Sequence, residues 1–157
     1  MHKLDSKIWD KMILQENGQH AFENPREALA SFNTYKAYFE GKPTQVYIFM
    51  TWAYEGHPEM TGALDSLYTQ AAMENGLTKL PVGLGWRDVM ATNPPFELLS
   101  ADGVHPSMHG TYFSAAMLFE MISGQVVTNN PYTTPLNEED AEVLKEFAHQ
   151  AVLEHFN

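Results

Sequence analysis

The chain has 157 residues and a mass of 17.7 kDa, enough for one domain with a real core and too few for two ordinary ones. Its 20 acidic against 9 basic side chains give a formal charge of −11, which repels phosphate backbones and anionic membranes and disfavours nucleic-acid partners. A cysteine count of 0 removes disulfides, thiolate nucleophiles and thiolate zinc sites, and no apolar run nears the roughly 20 residues needed to span a bilayer.

Met1 to Lys7 carries basic residues without a following apolar stretch or small-residue cleavage site, so no export signal is read and no compartment is assigned. Lys11-Met12-Ile13-Leu14 is short and apolar and runs into the polar cluster Gln15-Glu16-Asn17-Gly18-Gln19, the pattern of a buried strand ending in a loop. From Pro25 to about Phe39, a proline suited to a first turn precedes apolar residues at helical spacing, and Gly41-Lys42-Pro43 closes the segment. Gln45 to Met50 is β-branched and aromatic with no polar face, which predicts a central strand. After the polar and aromatic loop Thr51 to Pro58, the spacing predicts a helix from Glu59 to Asn75. Its predicted core face is Met60, Ala63, Leu64, Leu67, Ala71 and Ala72, and Gly76 is its stop.

Leu80 to Leu84 reads as a weaker strand with Pro81 at its start or on an edge, followed by a short helix opening at Gly85-Trp86-Arg87-Asp88. A loop through Asp102 and His105 then leads into a helix from about Ser107 to Ser123, with Tyr112, Phe113, Ala115, Ala116, Leu118, Phe119 and Ile122 as its apolar set and Gly124 as terminator. A polar connector over residues 127–135 precedes the last helix, which Asn137 caps and Glu138-Glu139-Asp140 open, where acidic side chains suit the helix dipole. The alternation of strands and helices predicts one α/β domain over residues 1–157 with a parallel sheet, the acidic helix 137–157 packing on it.

In such a sheet, ligands gather beyond the carboxyl ends of the strands. Gln15-Glu16-Asn17, Thr51-Trp52-Ala53-Tyr54 and Gly85-Trp86-Arg87 fall at those ends, and Asp102-Gly103-Val104-His105 lies in the loop before a helix. Asp102 and His105 form an Asp-x-x-His pair in which the carboxylate orients one imidazole nitrogen and leaves the other free as a base. Thr51, Trp52, Tyr54 and Trp86 either line a pocket or cover the strand ends. Ser107 suits a helix cap better than a nucleophile, since it sits on no strand-to-helix elbow. Glu146 and His149 have the spacing of a metal pair but lack a second copy on another helix, so no metal and no cofactor is assigned.

The string Asp102-Gly103-Val104-His105-Pro106-Ser107 resembles the last block of the SGNH, or GDSL, hydrolase superfamily. There, an Asp-Gly-x-His-Pro-Ser loop precedes the final helix and completes a Ser-His-Asp triad. Trp9 to Asn17 is similar to the family's third block, whose Asn donates a hydrogen bond to the oxyanion, although Gln15 and Gly18 replace its usual Gly and Asp. Leu14-Gln15-Glu16, Thr51-Trp52 and Pro81-Val82-Gly83-Leu84-Gly85-Trp86 match a subgroup of the family in the same order. The resemblance spans roughly residues 8 to 124. It implies a three-layer α/β/α, flavodoxin-like fold and a serine ester hydrolase, with His105 as base, Asp102 as its orienter and Asn17 as oxyanion donor. Gln15, Thr51, Trp52 and Trp86 become substrate-binding candidates, and the substrate a small-molecule or carbohydrate ester.

The Gly-Asp-Ser block that carries the family's nucleophile does not occur in the chain. Measured against the family, the first strand, first helix and second strand are missing, so the chain alone is expected to lack activity. The alternative is a non-catalytic remnant that binds a partner or self-associates, because loss of those strands would expose the Met12-Ile13-Leu14 strand as an open edge able to form a homodimer.

Overall fold

The structure, a computed structural model, describes residues 4–156. Three parallel strands, β1 (Lys11–Leu14), β2 (Gln45–Phe49) and β3 (Thr78–Leu80), form a sheet in the order β1-β2-β3. Ile13 stands beside Tyr47 and Tyr47 beside Thr78 in the register. The described residues also form six α-helices: α1 (Gly18–Glu23), α2 (Pro25–Phe39), α3 (Glu59–Asn75), α4 (Val82–Ala91), α5 (Met108–Ser123) and α6 (Glu138–His155). No helix among the described residues is long and apolar enough to cross a membrane.

The alternation of side chains along β2 divides the core into two layers. Ile48 and Met50 pack with Ala28, Phe32, Met60, Leu64 and Tyr68 of the helices α1–α3 side. Tyr47 and Phe49 point the other way, into Trp86, Val89, Phe113, Met117, Leu144 and Ala148 of α4–α6. With both faces covered, β2 has no reason to carry a polar side, and Val46 to Phe49 are all buried. This is the expected three-layer α/β/α arrangement.

The helix ends follow local chemistry. Pro25 occupies the first turn of α2, where its missing N–H is no loss. Gly76 ends α3 and Gly124 ends α5 in the left-handed region. Asn137 caps α6 by accepting the Asp140 amide at 2.8 Å, and Ser107 caps α5 by accepting from Gly110 at 3.1 Å.

Several expectations are corrected. The third strand lies at Thr78–Leu80, and Val82-Gly83-Leu84 already belong to α4; Pro81 ends the ladder because it has no N–H to give. Asn17-Gly18 opens a helix rather than continuing the expected loop, Asn17 accepting from the His20 amide at 3.0 Å. β1 is only half-buried, since it pairs with β2 alone among the described residues. Ala63 and Ala115 are exposed, while Met117, Glu120 and Met121 are buried. The buried Glu120 carboxylate is satisfied by His149 Nδ1 at 2.8 Å and the Val127 amide at 2.9 Å. His109 of α5 stacks on Phe96 and meets Asp140 of α6 at 3.1 Å.

Candidate active site

The Asp102–His105 pair is built by its own loop. Asp102 Oδ1 accepts the amides of Val104 and His105, each at 2.9 Å, and lies 3.0 Å from Ser100 Oγ. Its Oδ2 accepts the His105 imidazole at Nδ1, at 2.7 Å. The imidazole hydrogen bond first, and the two amides after it, hold the Asp102 carboxyl far below the usual carboxylate range. The aspartate is therefore ionised at any working pH and fixes which imidazole nitrogen carries the proton. His105 itself is 76% exposed, and among the described residues nothing bonds its Nε2. The ring thus presents a proton acceptor outward, oriented from behind by a carboxylate.

The loop is held in place from both ends and from below. Leu99 and Pro106 form a bridge, the Ser100 amide donates to the His105 carbonyl at 2.8 Å, and the Ser107 amide donates to the Leu98 carbonyl at 2.7 Å. Gly103 takes φ 70°, a left-handed conformation that favours glycine. A side chain there would also run into Glu55. The segment after β2 supplies the support: Trp52 Nε1 donates to the Val104 carbonyl at 3.0 Å, and the Glu55 amide donates to the Gly103 carbonyl at 2.8 Å.

The same segment reaches the other candidate loop. The Tyr54 hydroxyl accepts the Gln19 amide at 3.1 Å, and Gly18 sits so close that an added Cβ would lie 3.1 Å from Thr51 Oγ1 and 3.2 Å from the Tyr54 hydroxyl. Asn17 therefore stands at the carboxyl end of β1, beside the segment that also carries the Asp102–His105 loop. Its Oδ1 is occupied by the helix cap, which leaves Nδ2 as an exposed donor with no partner among the described residues. Behind it, the Tyr68 hydroxyl accepts the Glu16 amide at 3.4 Å, and burial pushes the phenol up to about 12.

The four substrate-binding candidates separate. Trp86 is 1% exposed, with its N–H committed to Ser114 Oγ at 2.9 Å, so most of its ring is core. Trp52 is half-buried and stacks on Trp86 with ring centroids 4.2 Å apart, presenting its outer side at the rim. Thr51 is 5% exposed and lies under Gly18. Gln15 is exposed and borders a groove along the free edge of β1 with Met12, Ile13, Leu14, Phe32 and Tyr35. Ser100 and Glu55, which also support the pair, carry no signal of that role in the sequence. The glycine inside Asp-Gly-x-His was the one local signal of a forced turn.

One group elsewhere has metal-ligand chemistry: Asp88, Glu154 and His155 bring ligand atoms within 4.8 Å of one another. Arg87 Nη2 stands 2.6 Å from Asp88 Oδ1 and already neutralises that carboxylate.

No family model matches the chain, and no curated protein matches it. Two solved structures do. A DUF4886 family protein from Bacteroides uniformis ATCC 8492 shares the fold with a TM-score of 0.82 at 21% identity, the match covering 97% of this chain and 65% of that one. A candidate SGNH hydrolase from Slackia heliotrinireducens matches with a TM-score of 0.65 at 26% identity, over 73% of this chain and 66% of that one. The chain therefore spans just under two thirds of each. Its class is an α/β protein of SGNH-like fold, with three parallel strands flanked by helices.

Proposed function

We propose that this chain is the base-bearing part of an SGNH-type serine ester hydrolase. The carrying observation is the Asp102–His105 pair, whose Nδ1–Oδ2 hydrogen bond of 2.7 Å leaves Nε2 free, on the rim that also presents the Asn17 amide. In this reading, a serine supplied by polypeptide paired along the open edge of β1 gives its proton to His105 Nε2 as its Oγ attacks the ester carbonyl. Asn17 Nδ2 donates to the oxyanion. His105 then returns the proton to the departing alcohol, and water releases the acyl group by the same route. The substrate class is an O-acyl group on a carbohydrate, with the half-exposed Trp52 indole as the stacking face for the sugar. The smaller claims made from sequence, a single domain over residues 1–157 with helix 137–157 packed on it, belong to the same proposal.

The test has two arms. The chain alone should hydrolyse p-nitrophenyl acetate negligibly, and robust turnover lost in His105→Ala would overturn the need for an outside nucleophile. An in-frame Gly-Asp-Ser block upstream of the Met1 codon, with turnover by the extended protein that disappears in His105→Ala, is the positive result. An extended protein that stays inert would overturn the hydrolase reading.

A second reading rests on the same edge. Ile13 in β1 is 41% exposed beside a groove of about 460 Å³, and an unpaired apolar strand is an association site. A non-catalytic, self-associating module would then dimerise through β1. Size-exclusion chromatography with light scattering measures this, and a clean monomer at high concentration would count against it.

A further inference from the structure

A cavity of about 360 Å³ lies between the segment that follows β2 and helix α4, a size in the range of small-molecule pockets, roughly 300 to 1,000 Å³. Ala53, Tyr54, Pro58, Trp86, Met90 and Ala91 form most of its wall. Some of the polar groups around it are engaged. Tyr54 already accepts the Gln19 amide, and Arg87 turns its Nε and Nη2 to Asp88 Oδ1 at 2.7 and 2.6 Å. The surface of the cavity is mostly apolar, which suits a hydrocarbon better than a sugar ring, and the Arg87 cation is already paired with Asp88.

The cavity adjoins the segment that supports the candidate site. Glu55 borders it, and the same residue donates its amide to Gly103 and packs its side chain against that glycine, next to Asp102. Tyr54, another wall residue, touches the loop of Asn17. The Met90 side chain adapts to a flexible hydrocarbon.

We propose that this cavity binds the acyl chain of the substrate, an unbranched aliphatic group longer than acetyl, with the sugar on the Trp52 side. The assignment rests on the ester-hydrolase reading above, yet binding in the cavity requires neither His105 nor a nucleophile, so the two are tested apart. The 157-residue protein is titrated with butyrate, hexanoate, octanoate and decanoate while the methionine methyl groups are followed by NMR. The Met90 methyl should move and that of Met73, which is exposed on α3, should not. Affinity should tighten about three- to fourfold per added methylene. Ala91→Trp, at an exposed helix position, fills the cavity and should weaken octanoate at least tenfold, whereas Met73→Ala on the exposed face of α3 should bind it unchanged.

No dependence on chain length, an unmoved Met90 methyl, or a shift produced by N-acetylglucosamine and not by the alkanoates would overturn the proposal. So would full octanoate affinity in a folded Ala91→Trp protein. The wild-type methyl map decides the matter if that variant does not fold. Length-dependent binding alongside an inert extended protein would leave the cavity standing and sink the hydrolase reading; turnover indifferent to acyl length would do the reverse.

Discussion

Two helical glycines should respond to alanine with opposite signs. Alanine is favoured over glycine inside a helix by about 0.8–1.0 kcal/mol. At Gly62 in α3, a new Cβ meets nothing within 4 Å, so Gly62→Ala should stabilise the protein by about 0.5–1 kcal/mol. At Gly110 in α5, the same methyl would lie 2.2 Å from the Leu98 carbonyl oxygen and 2.6 Å from Trp86 Cη2. The first of these is about 1.2 Å short of ordinary contact, and neither neighbour can yield cheaply. The Leu98 carbonyl is held by the Ser107 amide, and Trp86 is stacked and hydrogen-bonded in the core. Overpacking of this kind costs about 1–3 kcal/mol, at its upper end for a backbone obstacle, so the net loss in Gly110→Ala should be about 1–2 kcal/mol after the helix gain. Urea unfolding of both variants against wild type measures the difference. The tightness of the α5 start against Leu98 is what seats the His105 loop, so Gly110→Ala should also shift the His105 ring resonances, and Gly62→Ala should not. Equal stabilisation by the two substitutions would refute the reasoning.

Tyr68 links stability to alkaline pH. Its phenol titrates at about 12 in the folded chain against 10.0 ordinarily, so the stabilisation is whole below pH 10 and is lost as pH rises toward 12, by about 2–3 kcal/mol. Denaturation at pH 9 and pH 12 should show this loss in wild type and a much smaller one in Tyr68→Phe. Ser114→Ala strips the Trp86 indole N–H of its partner at 2.9 Å in a buried site, which should cost about 1–3 kcal/mol in thermal or urea unfolding; a neutral result would mean that another acceptor reaches the indole. Asp102→Ala should lower stability at neutral pH, and the Val104 and His105 amides, both bonded to that carboxylate, should exchange faster with deuterium. Unchanged exchange would show that the loop holds its shape without Asp102.

Asp102 and His105 were readable from the sequence because the chemistry is local: three residues apart, they fold onto each other through hydrogen bonds the loop makes with itself. The same holds for the stops at Gly76 and Gly124 and the caps at Ser107 and Asn137, where one residue type answers one backbone need. The third strand was misplaced because apolar content over residues 80–84 suits a strand and a buried helix start equally. What decides it is contact: the Gly83 amide donates to the Met50 carbonyl at 3.1 Å, and its Cα lies where a Cβ would be 2.1 Å from the Thr51 oxygen. Trp86 was readable as important but not as buried, since its partner Ser114 lies 28 residues away. Contacts between segments that distant leave no periodicity.

Among the described residues, the segment Thr51 to Glu55 organises the rim. Trp52 holds Val104, Glu55 holds Gly103, Tyr54 holds Gln19, and Thr51 lies against Gly18. Its position is fixed in turn because β2 is the central strand, buried on both faces and paired on both sides. The His105 loop and the Asn17 loop are thus held by the segment that follows the central strand, and neither takes any of these contacts from the free edge of β1. That separation explains how a well-formed Asp102–His105 pair and a fixed Asn17 coexist with an open strand beside them. In the proposed reaction, a strand pairing with β1 would bring its hydroxyl to this rim without any change in Thr51 to Glu55.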